Sequence, residues 1–152
     1  MKVNGKSTQT IWLSEDKQNV QIIDQTKLPF EFKVVTLNCF EDAFKAIKNM
    51  LVRGAPLIGV TGAYGVFLAA KENKELKFIE DACDYLNSAR PTAVNLSWAL
   101  NRMLQKAFDS KSNNIIENLC NEANKILEED INFCENIGKY GCEIIKDLYN
   151  KK

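Results

Sequence analysis

Residues 53–70 read Arg53-Gly54-Ala55-Pro56-Leu57-Ile58-Gly59-Val60-Thr61-Gly62-Ala63-Tyr64-Gly65-Val66-Phe67-Leu68-Ala69-Ala70. Gly54 suits a left-handed position after a preceding helix, and Pro56 suits the first turn of a new one. From Pro56 to about Lys71 nearly every residue is apolar or small, so this helix has no solvent face and belongs at the centre of the fold. Gly59, Gly62 and Gly65 recur at every third position, and each costs a soluble helix about 1 kcal/mol relative to alanine. Close approach of a packed neighbour's backbone is the expected compensation.

Working outward, a 3.6-residue period holds from about residue 38 to the C-terminus. Upstream, Asn38 as N-cap with Glu41 three residues on has the pattern of a capping box. The helix it opens carries the stripe Phe40, Ala43, Phe44, Ile47, Met50 and Leu51. Downstream, a helix from about Lys77 to Ala89 presents Phe78, Ile79, Ala82, Cys83 and Leu86, and stops at Arg90-Pro91 because a residue before proline avoids the α region. Thr92 is the expected N-cap of a helix from Ala93 to about Phe108, with Leu96, Trp98, Leu100 and Met103 as core. After a polar loop, residues 109–114, helical spacing resumes from Ile115 to about Tyr149 through Leu119, Ala123, Ile126, Leu127, Ile131, Ile137, Ile144, Ile145 and Leu148. Gly138 and Gly141 mark a break or a close crossing within it.

The first third follows a different rule. Residues 8–13 and 19–24 are short, β-rich and partly alternating, with the polar Ser14-Glu15-Asp16-Lys17-Gln18 between them, and so read as a hairpin. Leu28-Pro29 punctuates the chain, and Phe32 to Leu37 is a third strand. The expected fold is α+β, mostly α: a small antiparallel sheet region over residues 1–37 followed by a helical bundle over residues 38–152, together one domain.

The chain has 152 residues, 45% hydrophobic and 26% charged, an ordinary globular balance. Twenty basic residues against twenty acidic ones disfavour a nucleic-acid binder that works by bulk charge. No apolar run reaches the roughly 18 residues needed to cross a bilayer, and no signal-peptide core follows Met1-Lys2-Val3-Asn4-Gly5, so a cytoplasmic protein without membrane or nucleic-acid partners is expected. The sequence contains no histidine, which excludes a Ser-His-Asp or Cys-His pair and any histidine metal ligand. Cys39, Cys83, Cys120, Cys134 and Cys142 include no Cys-x-x-Cys pair and read as reduced, half-buried residues. Neither a metal nor a cofactor is expected.

Chemistry is expected at two corners. Arg53 and Arg90 each stand in a short proline-containing connection immediately before a helix, whose unpaired N–H groups and positive dipole end favour an anion. Gly54 lets a ligand approach the backbone, and a guanidinium grips phosphate in bidentate fashion. Two such corners facing each other would cradle a sugar phosphate. The plain alternative is that Arg53 neutralises the end of the preceding helix and Arg90 makes a surface ion pair. Asn95 reads first as a polar first-turn residue, Trp98 as core, Cys142 as buried, and Glu128-Glu129-Asp130 as a solvated helix face. The glycines at 59, 62 and 65 fit neither the P-loop nor the dinucleotide spacing.

Those corners also carry a family resemblance. Arg53-Gly54-Ala55-Pro56-Leu57-Ile58-Gly59-Val60 with Ala63-Tyr64-Gly65-Val66, then Arg90-Pro91-Thr92-Ala93-Val94-Asn95-Leu96 with Trp98-Ala99-Leu100, resemble the methylthioribose-1-phosphate isomerases. Thr10-Ile11-Trp12, Ile23-Asp24-Gln25-Thr26-Lys27-Leu28-Pro29 and Ile137-Gly138-Lys139-Tyr140-Gly141 extend the likeness over nearly the whole chain. The wider superfamily includes ribose-1,5-bisphosphate isomerase and regulatory subunits of the exchange factor for translation initiation factor two. The Arg53-Gly54-Ala55-Pro56 corner and Trp98 favour the methylthioribose branch.

The resemblance implies an aldose–ketose isomerase of methionine salvage, taking methylthioribose 1-phosphate to methylthioribulose 1-phosphate. It implies substrate contacts from Arg53, Gly54, Ala55 and Arg90, and an N-terminal domain joined to a Rossmann-like catalytic domain in a homodimeric parent enzyme. The family's catalytic cysteine sits in a Thr-His-Cys-Asn segment, and its catalytic aspartate follows further on. This chain has no such segment, so no catalytic residue is assigned and inactivity in isolation is expected. Two alternatives remain: a sugar-phosphate-binding or regulatory module of the initiation-factor-like superfamily, or an interaction domain docking a partner on an apolar face. A related isomerase acting on ribose 1,5-bisphosphate or 5-deoxyribose 1-phosphate is a further option.

Overall fold

The computed structural model describes residues 2–3, 5–110 and 114–150. Strands β1 (Lys2–Val3) and β2 (Lys6–Ser7) pair antiparallel ahead of a second antiparallel sheet, β3 (Ile11–Leu13), β4 (Val20–Ile23) and β5 (Val34–Leu37), ordered β3-β4-β5. Five helices follow among the described residues: α1 (Phe40–Lys48), α2 (Ala55–Glu72), α3 (Leu76–Asn87), α4 (Val94–Asp109) and α5 (Ile115–Asn150). The expected mostly-α arrangement, a small sheet and then a helical bundle, is what forms. Lys111, Ser112 and Asn113 of the expected polar loop lie outside the described residues.

The sheet is held by alternation. Ile11 stands opposite Ile22 and Leu13 opposite Val20, so the period-2 pattern turns Ile11, Val20 and Ile22 into the core. Trp12 and Gln21 face each other on the other side, where the indole N–H donates to the Gln21 side-chain oxygen at 2.6 Å. β5 begins at Val34, two residues later than expected, and Phe32 is exposed. The Leu28–Pro29 bond before it is cis.

α2 is the axis of the bundle, with every residue from Ile58 to Ala70 buried. Its glycines are contact points. A Cβ on Gly59 would lie 2.7 Å from the Asn95 carbonyl oxygen, one on Gly62 would overlap Leu96 Cδ1, and one on Gly65 would meet Leu86 and Ala43 at 3.0 and 3.1 Å. Gly59 meets Asn95 and Ala99 while Gly62 meets Leu96 and Leu100, so numbering rises together along both helices. α2 and α4 are therefore parallel and begin at the same end of the bundle. The buried polar groups of α2 are satisfied: Thr61 donates to the Leu57 carbonyl at 2.7 Å, and the Tyr64 hydroxyl donates to Asn124 Oδ1 at 2.8 Å. Burial pushes the Tyr64 hydroxyl far above its usual range, so it stays protonated.

Several local expectations are corrected. Asn38 is not the N-cap of α1: Cys39 takes that place without a side-chain hydrogen bond, and Asp42 rather than Glu41 reaches back, accepting the Asn38 N–H at 3.1 Å. Thr92 does not cap α4, because Ala93 N–H donates to the Arg90 carbonyl at 3.0 Å and closes a turn that delays the helix to Val94. Trp98 is half exposed: the buried stripe of α4 runs through Leu96, Ala99, Leu100, Met103 and Ala107, and position 98 falls out of phase with it. Met50 lies beyond α1 with φ at +59°.

α5 holds the largest departure. Gly138 and Gly141 do not break it, and among the described residues nothing lies within 4 Å of a Cβ built on either. Its first half packs through Ile115, Leu119, Ala123 and Ile126, and the same spacing continues past them as Phe133, Ile137, Tyr140, Ile144 and Leu148, all exposed. Cys134 and Cys142 are exposed on this stretch rather than buried.

Candidate functional site

Both arginine corners lie at the common end of α2 and α4. Arg53 is exposed in the connection before Gly54, whose φ of +100° is a left-handed value that favours glycine. Gly54 serves as N-cap, and Ile58 N–H donates to its carbonyl at 3.0 Å, which leaves the N–H groups of Ala55 and Leu57 open in the first turn. Arg90 is half-buried in the turn between α3 and α4. That turn is fixed by Arg90 N–H donating to the Asn87 carbonyl at 3.3 Å and by Ser97 Oγ donating to Asn87 Oδ1 at 2.8 Å.

The electrostatics of the two starts match. Neither α2 nor α4 has an acidic residue in its first turn, and neither N-cap, Gly54 or Ala93, supplies a capping side chain. The positive dipole ends are thus left open to an outside anion. Neither guanidinium makes a hydrogen bond or ion pair among the described residues, so the plain reading of Arg90 as half of a surface ion pair finds no partner there. The basic residues in the last turn of α1 are Lys45 and Lys48.

Beside these corners a cleft of about 230 Å³ opens between the first turns of α2 and α4 and the middle of α5. Pro56, Gly59 and Val60 form one wall, Asn95 and Trp98 a second, and Ile126, Glu129, Asp130 and Phe133 the third. The run expected to be solvated is therefore only partly so. Arg102 donates to Glu122 at 2.6 Å and clasps Glu129 through both terminal nitrogens at 2.5 and 3.0 Å, while its guanidinium lies 5.3 Å from the Trp98 ring. The arginine holds the Glu129 carboxyl below its usual range. Asp130, half-buried with no partner among the described residues, has its carboxyl pushed up by burial.

Sequence reasoning passed over Asp130 as a site residue. A signal was present: Asp130 falls four residues after Ile126 and three before Phe133, where the stripe of α5 calls for an apolar side chain. Neither Arg53 nor Arg90 lines this cleft, so corner and cleft are adjacent features rather than one cavity.

Burial pushes the Cys83 thiol up to about 12 and raises Cys39 and Cys120, so these three are thiols and not thiolates at neutral pH. Among the described residues, no three acidic, cysteine or histidine side chains gather as a metal site, and no helix is long and apolar enough to cross a membrane.

The chain is similar to known proteins along most of its length. The family model described as the initiation factor 2 subunit family matches residues 51–150. A methylthioribose-1-phosphate isomerase of Escherichia coli O45:K1 is 44% identical over the whole of this chain and 41% of its own length; one from Rhodospirillum centenum is 44% identical over 99% of this chain and 40% of its own. The chain thus spans about two fifths of the length of the curated relatives it matches. Among solved structures, 5-methylthioribose 1-phosphate isomerase from Pyrococcus horikoshii OT3 superposes with a TM-score of 0.83 at 37% identity, covering 91% of this chain and 41% of that one. The delta subunit of translation initiation factor eIF-2B from A. fulgidus gives 0.76 at 36%, covering 82% and 38%. With both corners inside or bordering the matched span and the fold shared along the chain, this protein belongs to the initiation factor 2 subunit family.

Proposed function

We propose that this chain is the phosphate-holding part of a methylthioribose-1-phosphate isomerase, in which Arg53, Gly54, Ala55 and Arg90 grip the 1-phosphate of the sugar. The parallel packing of α2 and α4 carries this reading, because it sets two uncapped helix starts, each led by an arginine, at one end of the bundle. The names of the curated relatives support the choice of sugar. Conversion of an aldose to a ketose moves a proton between neighbouring carbons, and positioned acid–base groups contribute 10²–10⁴-fold to such steps. No histidine is present to do this, and burial raises the thiols of Cys39, Cys83 and Cys120, so the chain alone binds substrate without turning it over.

Calorimetry checks the binding half. Two charge-assisted contacts of about 1.5–3 kcal/mol each correspond to a dissociation constant of roughly millimolar or below for inorganic phosphate, and methylthioribose 1-phosphate binds at least as tightly. Heat from neither ligand would remove the phosphate reading, and measurable isomerisation by the chain alone would remove the inactivity.

The exposed stripe on α5 favours a second reading, that of an interaction module for a protein partner. Contiguous apolar surface of this kind marks contact sites. A monomer in sedimentation, with unchanged behaviour when Ile137 and Ile144 are replaced by serine, argues against it.

A further inference from the structure

The cleft beside the corners is built differently from the corners themselves. Its walls are apolar at Pro56, Val60, Trp98, Ile126 and Phe133, and its polar groups are the Asn95 amide and the carboxylates of Glu129 and Asp130. Arg102 occupies Glu129 through two contacts, which leaves Asp130 as the acceptor without a partner among the described residues. A negatively charged ligand group is repelled from this place, whereas hydroxyls that donate to a carboxylate, together with an apolar substituent, are matched by it. Position decides the connection: Pro56 lies two residues beyond Gly54, about 3 Å of helix rise, and Asn95 lies in the first turn of the helix that Arg90 introduces.

We propose that the cleft between α2, α4 and α5 is the subsite for the uncharged end of a sugar phosphate, with Asp130 accepting hydrogen bonds from sugar hydroxyls and the Trp98 and Phe133 rings packing on an apolar 5-substituent such as a thioether. The inference rests on the proposed phosphate corner, and it gives that corner a direction. Phosphate stays at the helix starts, and the sugar runs inward along α2 and α4 towards α5. It also selects among sugars: a second phosphate at the far end, as in a ribose 1,5-bisphosphate, meets the Asp130 carboxylate and is disfavoured.

The test is a set of ¹H–¹⁵N titrations of the full chain with inorganic phosphate, phosphate-free methylthioribose and methylthioribose 1-phosphate. Methylthioribose 1-phosphate is expected to shift the Gly54 and Ala55 amides together with the Gly59 and Asn95 amides and the Trp98 indole N–H. Asp130→Ala is expected to weaken it about tenfold and to leave inorganic phosphate unchanged. Alanine is a better helix former than aspartate, so this variant folds, and Trp98→Ala supplies an independent wall mutation with the same expected pattern. Corner shifts with a silent cleft, or Asp130→Ala and Trp98→Ala binding the sugar phosphate like wild type, overturn the subsite and spare the phosphate reading. Cleft shifts by phosphate-free methylthioribose with no response to inorganic phosphate uphold the subsite and overturn the corner. A cleft silent to both sugars well above millimolar concentration overturns the subsite outright.

Discussion

Gly59→Val lowers the stability of the chain by about 3 kcal/mol, seen as a fall in melting temperature of roughly 6–12 °C. Glycine is normally a weak helix residue, so replacing it in a helix is ordinarily favourable. At position 59 the added Cβ meets the Asn95 carbonyl oxygen at 2.7 Å and its carbonyl carbon at 3.2 Å. Both atoms belong to the backbone of α4 and cannot rotate away, so the helices must separate. Gly59→Ala brings the same first clash, partly offset by a helix-propensity gain of about 1 kcal/mol, and falls between wild type and Gly59→Val. Gly138→Ala is the contrast: with nothing within 4 Å it only strengthens its helix. Thermal unfolding of the three variants reads this directly. A Gly59→Val protein that melts with wild type contradicts the contact that aligns α2 and α4, and with it the shared end on which the site depends.

The centre of the fold was legible because α2 is apolar on all sides, a pattern with one stable location, and because its glycines recur at a spacing that means contact. The hairpin was legible from alternation around Ile11 and Ile22. The ends of elements were less so. Capping depends on which of several adjacent polar residues the backbone reaches, and Asp42 and Ala93 took the places expected of Glu41 and Thr92. Trp98 departs from expectation because bulk and hydrophobicity suggest burial, whereas helical phase, set by Leu96, Leu100 and Met103, decides it. The distal half of α5 carries the same spacing as the packed half, so periodicity alone does not reveal where the bundle ends along it. As for the site, the arginine corners follow from local sequence, but their common end required α2 and α4 to be parallel. The cleft joins residues about seventy positions apart and was visible only as a carboxylate in an apolar stripe.

Removal of the guanidinium groups has the largest expected effect on binding. Arg53→Ala and Arg90→Ala each weaken phosphate about 10- to 100-fold, since each deletes a charge-assisted contact worth about 1.5–3 kcal/mol, and the double variant shows no measurable binding. Lysine at either position recovers only part, because it is a point charge without the bidentate fork. Stability stays within about 0.5 kcal/mol of wild type, because neither guanidinium has a partner among the described residues. Loss of binding with an unchanged melt therefore separates a ligand contact from a structural one.

The proposed sharing of one anion is tested most directly by following the side-chain Nε–Hε resonances of Arg53 and Arg90 during one titration with inorganic phosphate. Both signals should move along a single saturation curve, and Arg53→Ala should displace the Arg90 curve to higher phosphate by the factor seen in calorimetry. An Arg90 signal that stays still, or that saturates at the same concentration whether or not Arg53 is present, contradicts a common site.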